Sequence, residues 1–132
     1  MHELGLLTSV VAAVENAAAQ ADSQVTRVEK VALEVGTMSG AIPEALYGSW
    51  PIARQDSICA EAELELTSIP ASVYCPRCAR DVPIDEFFAL ACPECGMPTG
   101  NLTHGREFKI AWVQWDTASA DANSAAGASS SA

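Results

Sequence analysis

The chain has 132 residues, 49% of them hydrophobic, with 17 acidic against 7 basic side chains and a formal net charge of −10. That length fits one domain, or one domain carrying a small insert, and the acidic balance repels phosphate backbones and anionic lipid surfaces, which argues against nucleic-acid and membrane-surface roles. No apolar run approaches the roughly 18 residues of a membrane span, and with no signal peptide ahead of the first element the chain is expected in the cytoplasm.

An amphipathic helix opens the sequence. Leu4, Leu7, Val11, Val14 and Ala18 recur at helical spacing and form one apolar stripe, and the turn formers Ala21-Asp22-Ser23 are expected to end it. Val25 to Val35 reads as a strand with Val31, Leu33 and Val35 on one face; its alternation slips before Glu29, which predicts a bulge or a late start. Gly36 to Gly40 is a loop. Pro43 then opens a short second helix with Leu46 and Trp50 four apart, which Pro51 is expected to end or kink at Trp50. Glu61 to Leu66 alternates acidic and apolar residues, the pattern of a half-buried strand with a solvated outer face. Arg106 to Trp115 makes a third strand with Phe108, Ile110 and Trp112 on one side. From Thr117 to Ala132 the composition falls to small and polar residues, and a disordered Ala/Ser-rich tail is expected over 117–132.

Four of the five cysteines lie in two hooks, Cys75-Pro-Arg-Cys78 and Cys92-Pro-Glu-Cys95, separated by thirteen residues. Two Cys-x-x-Cys turns at this spacing suit four thiolates on one tetrahedral ion, and Gly96 supplies the positive φ that such a turn often needs. Zinc is the expected metal, while iron suits the same four sulfurs, so the spacing leaves the two open. Stable disulfides are rare in the cytosol. A thioredoxin-like redox pair would open a helix after a strand, whereas both hooks carry proline and lead into turns. Between them, Ala79 to Ala91 offers Val82, Ile84, Phe87, Phe88 and Leu90 as apolar content. That is too little for a self-sufficient core, so metal binding, about 10–16 kcal/mol in small zinc peptides, has to fold it. Cys59 reads as small apolar packing, and His104 as a solvated loop histidine.

His2 has an unusual position. An α-amine, the next backbone nitrogen and the imidazole of residue 2 can chelate one metal in fused rings, and the amide of Glu3 can supply a fourth nitrogen in the plane. Square-planar nitrogen coordination selects Ni(II) or Cu(II) over zinc or magnesium. Most second-position histidines are simply exposed. No Ser/His/Asp set, phosphate loop or zinc site with an open position occurs, so the sequence does not read as an enzyme, and any nucleotide-driven step would belong to a partner. On motifs alone, a zinc-ribbon protein-interaction module without metal transport is the competing reading.

Met1-His2-Glu3, Val35-Gly36, Pro43-Glu44-Ala45-Leu46, Ala62-Glu63-Leu64, the two hooks and Gly105-Arg106-Glu107-Phe108 follow one another in the order of the HypA/HybF family of hydrogenase nickel-incorporation proteins, which the chain resembles from residue 1 to about 115. The resemblance implies an α+β fold. Two helices would pack on a three-stranded sheet in a nickel-binding domain, residues 1–69 plus 105–116, with a zinc-ribbon-like domain inserted at 70–104. It implies nickel held by His2 and the backbone nitrogens of Met1, His2 and Glu3, and structural zinc on Cys75, Cys78, Cys92 and Cys95. It also implies a metallochaperone, monomeric or weakly dimeric, that delivers nickel to the large subunit of [NiFe]-hydrogenase with a partner GTPase; some members also serve urease. The sequence departs from the family in its second helix, where Leu46-Tyr47-Gly48-Ser49-Trp50-Pro51 holds less phenylalanine than is usual.

Overall fold

The computed structural model describes residues 2–118. In chain order the elements are α1 (His2–Ala19), β1 (Val25–Gly36), α2 (Pro43–Ala53), β2 (Glu63–Ile69), β3 (Ser72–Cys75), β4 (Arg80–Pro83), β5 (Leu102–His104) and β6 (Phe108–Thr117). They fall into two compact units. One gathers the residues up to Glu34, Ala41–Thr67 and Lys109 onward; the other gathers Val35–Gly40 and Ser68–Phe108. The second takes in more chain than the 70–104 insert expected from sequence, because backbone hydrogen bonds knit its edges together. Gly36 N–H donates to Glu107 O at 2.7 Å, Thr37 N–H to Ile69 O at 3.0 Å and Met38 N–H to Gly105 O at 2.7 Å.

In the first unit α1 and α2 pack on each other, beside a three-stranded sheet of order β2-β1-β6. Leu7, Val10, Val11, Val14 and Ala18 are buried on α1. Adding Val10 to the expected stripe widens it to the face that a core-facing helix needs, while Leu4 is only half-buried. β1 is continuous from Val25, so the slip in its pattern is not a late start. Val28 is buried, Arg27, Glu29 and Lys30 carry polar groups outward, and Val31, Ala32 and Leu33 are buried in succession. A run buried on both faces marks a central strand. Side-chain pairs Glu34–Lys109, Glu29–Gln114 and Arg27–Asp116 run in opposite directions along the two strands, so β6 lies antiparallel to β1. The ion pairs Arg27–Glu61 and Lys30–Glu65 ascend together along the chain, which makes β1-α2-β2 a crossover with parallel strands.

Several local expectations are corrected. Pro51 does not end α2 at Trp50; the helix continues to Ala53. Pro51 sits in the last turn, where it removes a single ladder bond, and tertiary contacts hold that turn. The Trp50 indole donates to Ala62 O at 2.8 Å and the Arg54 guanidinium to the same oxygen at 2.9 Å. On β6 the buried residues are Val113 and Trp115, whereas Phe108, Ile110 and Trp112 are half-buried. β6 reaches Thr117, and Ala118 N–H donates to Gln24 O at 2.8 Å, so the strand extends into the stretch expected as tail. The remainder of that stretch, 119–132, lies outside the described residues.

The second unit contains a sheet that the sequence did not disclose, of order β4-β3-β5. β3 pairs antiparallel with β4, Ser72 facing Pro83 and Cys75 facing Arg80, and antiparallel with β5. Strands of three or four residues are too short to leave an alternation. The buried cluster is Cys75, Val82 and Cys92, with Cys78, Cys95 and Met97 packed against it. Of the five apolar residues noted between the hooks, only Val82 is buried; Phe87 is 80% exposed and Leu90 66% exposed. Among the described residues no helix is long and apolar enough to cross a membrane.

Two glycines separate architecture from tolerance. A Cβ at Gly36 would collide with the backbone of Gly105 and Arg106, whereas one at Gly48 in α2 meets nothing within 4 Å. Chemical denaturation of the zinc-loaded protein should therefore show Gly36→Ala losing about 3 kcal/mol and Gly48→Ala gaining about 0.5–1 kcal/mol.

Candidate metal centres

The two hooks close on one point. Each is a tight turn with proline second: Ala79 N–H donates to Cys75 O at 2.7 Å, and Gly96 N–H to Cys92 O at 2.8 Å. The residue after each hook has positive φ, 58° at Ala79 and 81° at Gly96. Glycine flagged the second turn in the sequence; alanine gave no such sign at the first. Backbone N–H groups aim at sulfur, Cys78 N–H at Cys75 Sγ and Glu94 N–H at Cys92 Sγ, each 3.4 Å. An ion pair between Arg80 and Glu94 ties the hooks together.

The four sulfurs of Cys75, Cys78, Cys92 and Cys95 all lie within 4.8 Å of one another. Cys75 and Cys95 are separated by 3.5 Å between sulfurs, Cys78 and Cys92 by 3.9 Å. A disulfide needs about 2.05 Å, and all five cysteines are free. Tetrahedral thiolates at about 2.3 Å from an ion stand about 3.8 Å apart, so the donor set fits a zinc-sized ion. The thiols titrate unequally on their own. Hydrogen bonding from the Cys78 N–H holds Cys75 down at about 7, while burial, followed by the neighbouring Cys95 sulfur, pushes Cys78 up to about 12. Four negative sulfurs cannot share this space unless a cation joins them.

Elsewhere the sequence-derived candidates separate. His2 is exposed at the first described turn of α1, where the leading N–H groups of a helix have no intrahelical acceptor. Met1 lies outside the described residues. Glu3, considered in the sequence only for its backbone nitrogen, also uses its side chain: it is 9% exposed and Oε2 accepts the Ile42 N–H at 3.1 Å, at the start of α2. That bond, and then one from its own N–H, lowers the Glu3 carboxyl below its ordinary range. An apolar-looking first turn gave no signal for it.

His104 is not a bare loop histidine. Its Nδ1 lies 2.8 Å from Glu107 Oε2, while Glu107 Oε1 accepts the Gly105 N–H at 2.7 Å. Cys59 is fully buried; burial, then the Glu15 charge, pushes its thiol up to about 12, which agrees with a packing role.

Comparison with known proteins places this geometry. The family described as "Hydrogenase/urease nickel incorporation, metallochaperone, hypA" matches residues 1–115. The hydrogenase maturation factor HypA of Chloroflexus aggregans is 34% identical over 110 residues, covering 83% of this chain and 95% of the relative. The factor of the same name from Streptomyces avermitilis is 35% identical over 116 residues, covering 88% of each. Among solved structures, the solution structure of the Ni metallochaperone HypA from Helicobacter pylori superposes with a TM-score of 0.62 at 19% identity, covering 86% of this chain and 96% of that one. A second HypA solution structure gives 0.65 at 20% identity, with 87% and 96% covered. At these identities the structures speak for the fold, an α+β chain with a four-cysteine subdomain.

The Glu107 contacts set a pH dependence. Its hydrogen bond with His104, then that with the Gly105 N–H, lowers the folded carboxyl from 4.5 to about 2. A lowered folded value stabilises the protein above the unfolded one, and that stabilisation is lost as pH falls from about 4.5 towards 2. Urea denaturation should therefore find Glu107→Gln less stable than the parent at pH 6, with the difference closing as pH approaches 2.

Proposed function

The chain belongs to the HypA family of hydrogenase and urease nickel-incorporation metallochaperones, and from that premise we propose that it binds Ni(II) at its own N-terminus and hands it on during [NiFe]-hydrogenase maturation. The observation that carries this reading is the position of His2, exposed on the first turn of a helix whose leading backbone nitrogens lack intrahelical partners. Nickel would be bound by the Met1 amine, the His2 backbone nitrogen and imidazole, and the Glu3 backbone nitrogen, a square-planar set of the kind Ni(II) favours. Two of these nitrogens are amides that lose a proton on binding, so the filled site is neutral and puts no net charge at the positive end of α1. The Glu3 carboxylate keeps α1 registered against the start of α2 and leaves the chelating turn free of the core.

Zinc on Cys75, Cys78, Cys92 and Cys95 would be structural. A closed set of four thiolates offers no position to a substrate and gives the second unit its folding energy. The nickel would pass to the hydrogenase large subunit in the cytoplasm with the help of a GTPase, since this chain has no phosphate-binding loop of its own. On this reading the protein acts as a carrier without catalysis, working as a monomer or weak homodimer.

Calorimetry of nickel binding to the zinc-loaded, untagged protein tests the terminal chelate. Micromolar or tighter binding is expected, lost in His2→Ala and equally lost when one residue is added before Met1; the affinity should fall as pH drops from about 7.5 to 6, because protons compete for the same nitrogens. Binding retained in both variants would move the nickel elsewhere. The zinc assignment rests on a separate measurement. Cys75→Ser should weaken zinc at least about 100-fold, seen by metal analysis, and amide exchange should accelerate across Ser72–Leu102 while residues of α1 keep their protection.

A further inference from the structure

The loop between the hooks holds apolar side chains away from the core of its own unit. Phe87, 80% exposed, and Leu90, 66% exposed, are the two most exposed large hydrophobics among the described residues. Phe87 lines a groove of about 510 Å³ together with Ile84, Phe88 and Ala91, and Leu90 lies in the same loop. Their loop is held in place. Phe87 N–H donates to Asp85 Oδ1 at 2.9 Å, Phe88 N–H to Asp85 O at 3.0 Å, and Thr99 N–H to Leu90 O at 3.0 Å. Cys92, a proposed zinc ligand, closes the same loop. Leu90 also has a φ of 65°, a conformation that glycine or asparagine adopts at lower cost. Strain that local packing does not explain concentrates where a chain meets a ligand or partner. A loop whose backbone is already held adds less ordering entropy on association.

The charged residue that lines this groove is Asp85, and Glu86 follows it in the chain. No lysine or arginine occurs between Asp81 and Gly105, a stretch that contains Asp81, Asp85, Glu86 and Glu94. Glu94 is taken by Arg80; among the described residues no cation pairs with Asp81, Asp85 or Glu86. Acidic residues here reject anionic lipid and nucleic acid and select a cationic occupant. From the groove, the exposed apolar side chains on a hydrogen-bonded loop and the acidic residues there that no cation pairs, we infer that the loop Ile84–Ala91 is a docking surface for a protein segment that offers two or three apolar side chains flanked by lysine or arginine. The inference does not depend on the nickel reading, since it places no metal on these residues.

The test uses the full-length zinc-loaded chain, isotopically labelled, and a fluorescent synthetic peptide of leucine and lysine in amphipathic order as probe, beside the same peptide with glutamate for lysine. The lysine peptide is expected to bind, to shift amide signals chiefly over Ile84–Ala91, and to lose at least about tenfold in affinity to Phe87→Ser and to Leu90→Ser; the glutamate peptide should bind at least tenfold more weakly. Zinc content and nickel affinity of both variants should equal those of the parent, which separates a lost surface from a lost fold. Signals shifting elsewhere, equal binding by the variants, or no preference for lysine would overturn the inference. So would a self-association abolished by Phe87→Ser, which would assign the surface to a second copy, or binding to phosphatidylserine vesicles, which would assign it to lipid.

Discussion

Four sulfur atoms within 4.8 Å of one another are an electrostatic arrangement that a protein interior does not tolerate as four anions. The second unit is organised around that constraint. Its buried cluster consists chiefly of the cysteines, with Val82 and Met97 as the main apolar contribution. Its sheet is made of strands of three or four residues, lengths that do not sustain a fold unaided. Each Cys-x-x-Cys turn spends a residue in the left-handed region to bring a backbone N–H onto sulfur. The ion that satisfies the sulfurs is therefore also the reason the loop between them can leave Phe87 and Leu90 outside.

The first unit is built on the opposite principle. It has a conventional apolar core in which Leu7, Val14, Val28, Val31, Leu33 and Leu46 are almost fully buried. The nickel site proposed above would lie at its margin, on the first turn of α1. Separating stability from exchange in this way is physically sensible. A site whose ligands also support the core cannot release its metal without unfolding, whereas one built from a chain end and a single side chain can. Glu3 and His2 divide along the same line: the Glu3 carboxylate accepts the Ile42 N–H, while His2 beside it is exposed.

How much the sequence disclosed depended on the range of each interaction. The α1 stripe, the start of α2 at Pro43 and the four-cysteine cluster were legible because each follows from spacing along the chain. The reach of α2 beyond Pro51 was not, since Trp50 and Arg54 both bond to Ala62, a partner that only the tertiary fold supplies. The outward turn of Phe87 and Leu90 was not legible either. Composition predicts that phenylalanine and leucine go inside, yet here the sulfurs already occupy the inside. Gly36 was read as part of a loop; that it must be glycine follows from its contact with Gly105, sixty-nine residues away. The side-chain role of Glu3 and the bond between His104 and Glu107 likewise depend on neighbours that periodicity does not report.

Cys59 offers a final consequence. It is the one thiol outside the metal cluster, fully buried and with its proton held to about 12 by burial and then by Glu15. The thiolate is the reactive form, so alkylating reagents can reach this sulfur only through molecules in which the first unit has opened. The chain thus contains its own clock. Its fifth sulfur, apart from the four of the hooks, reports openings of the helix-and-sheet unit.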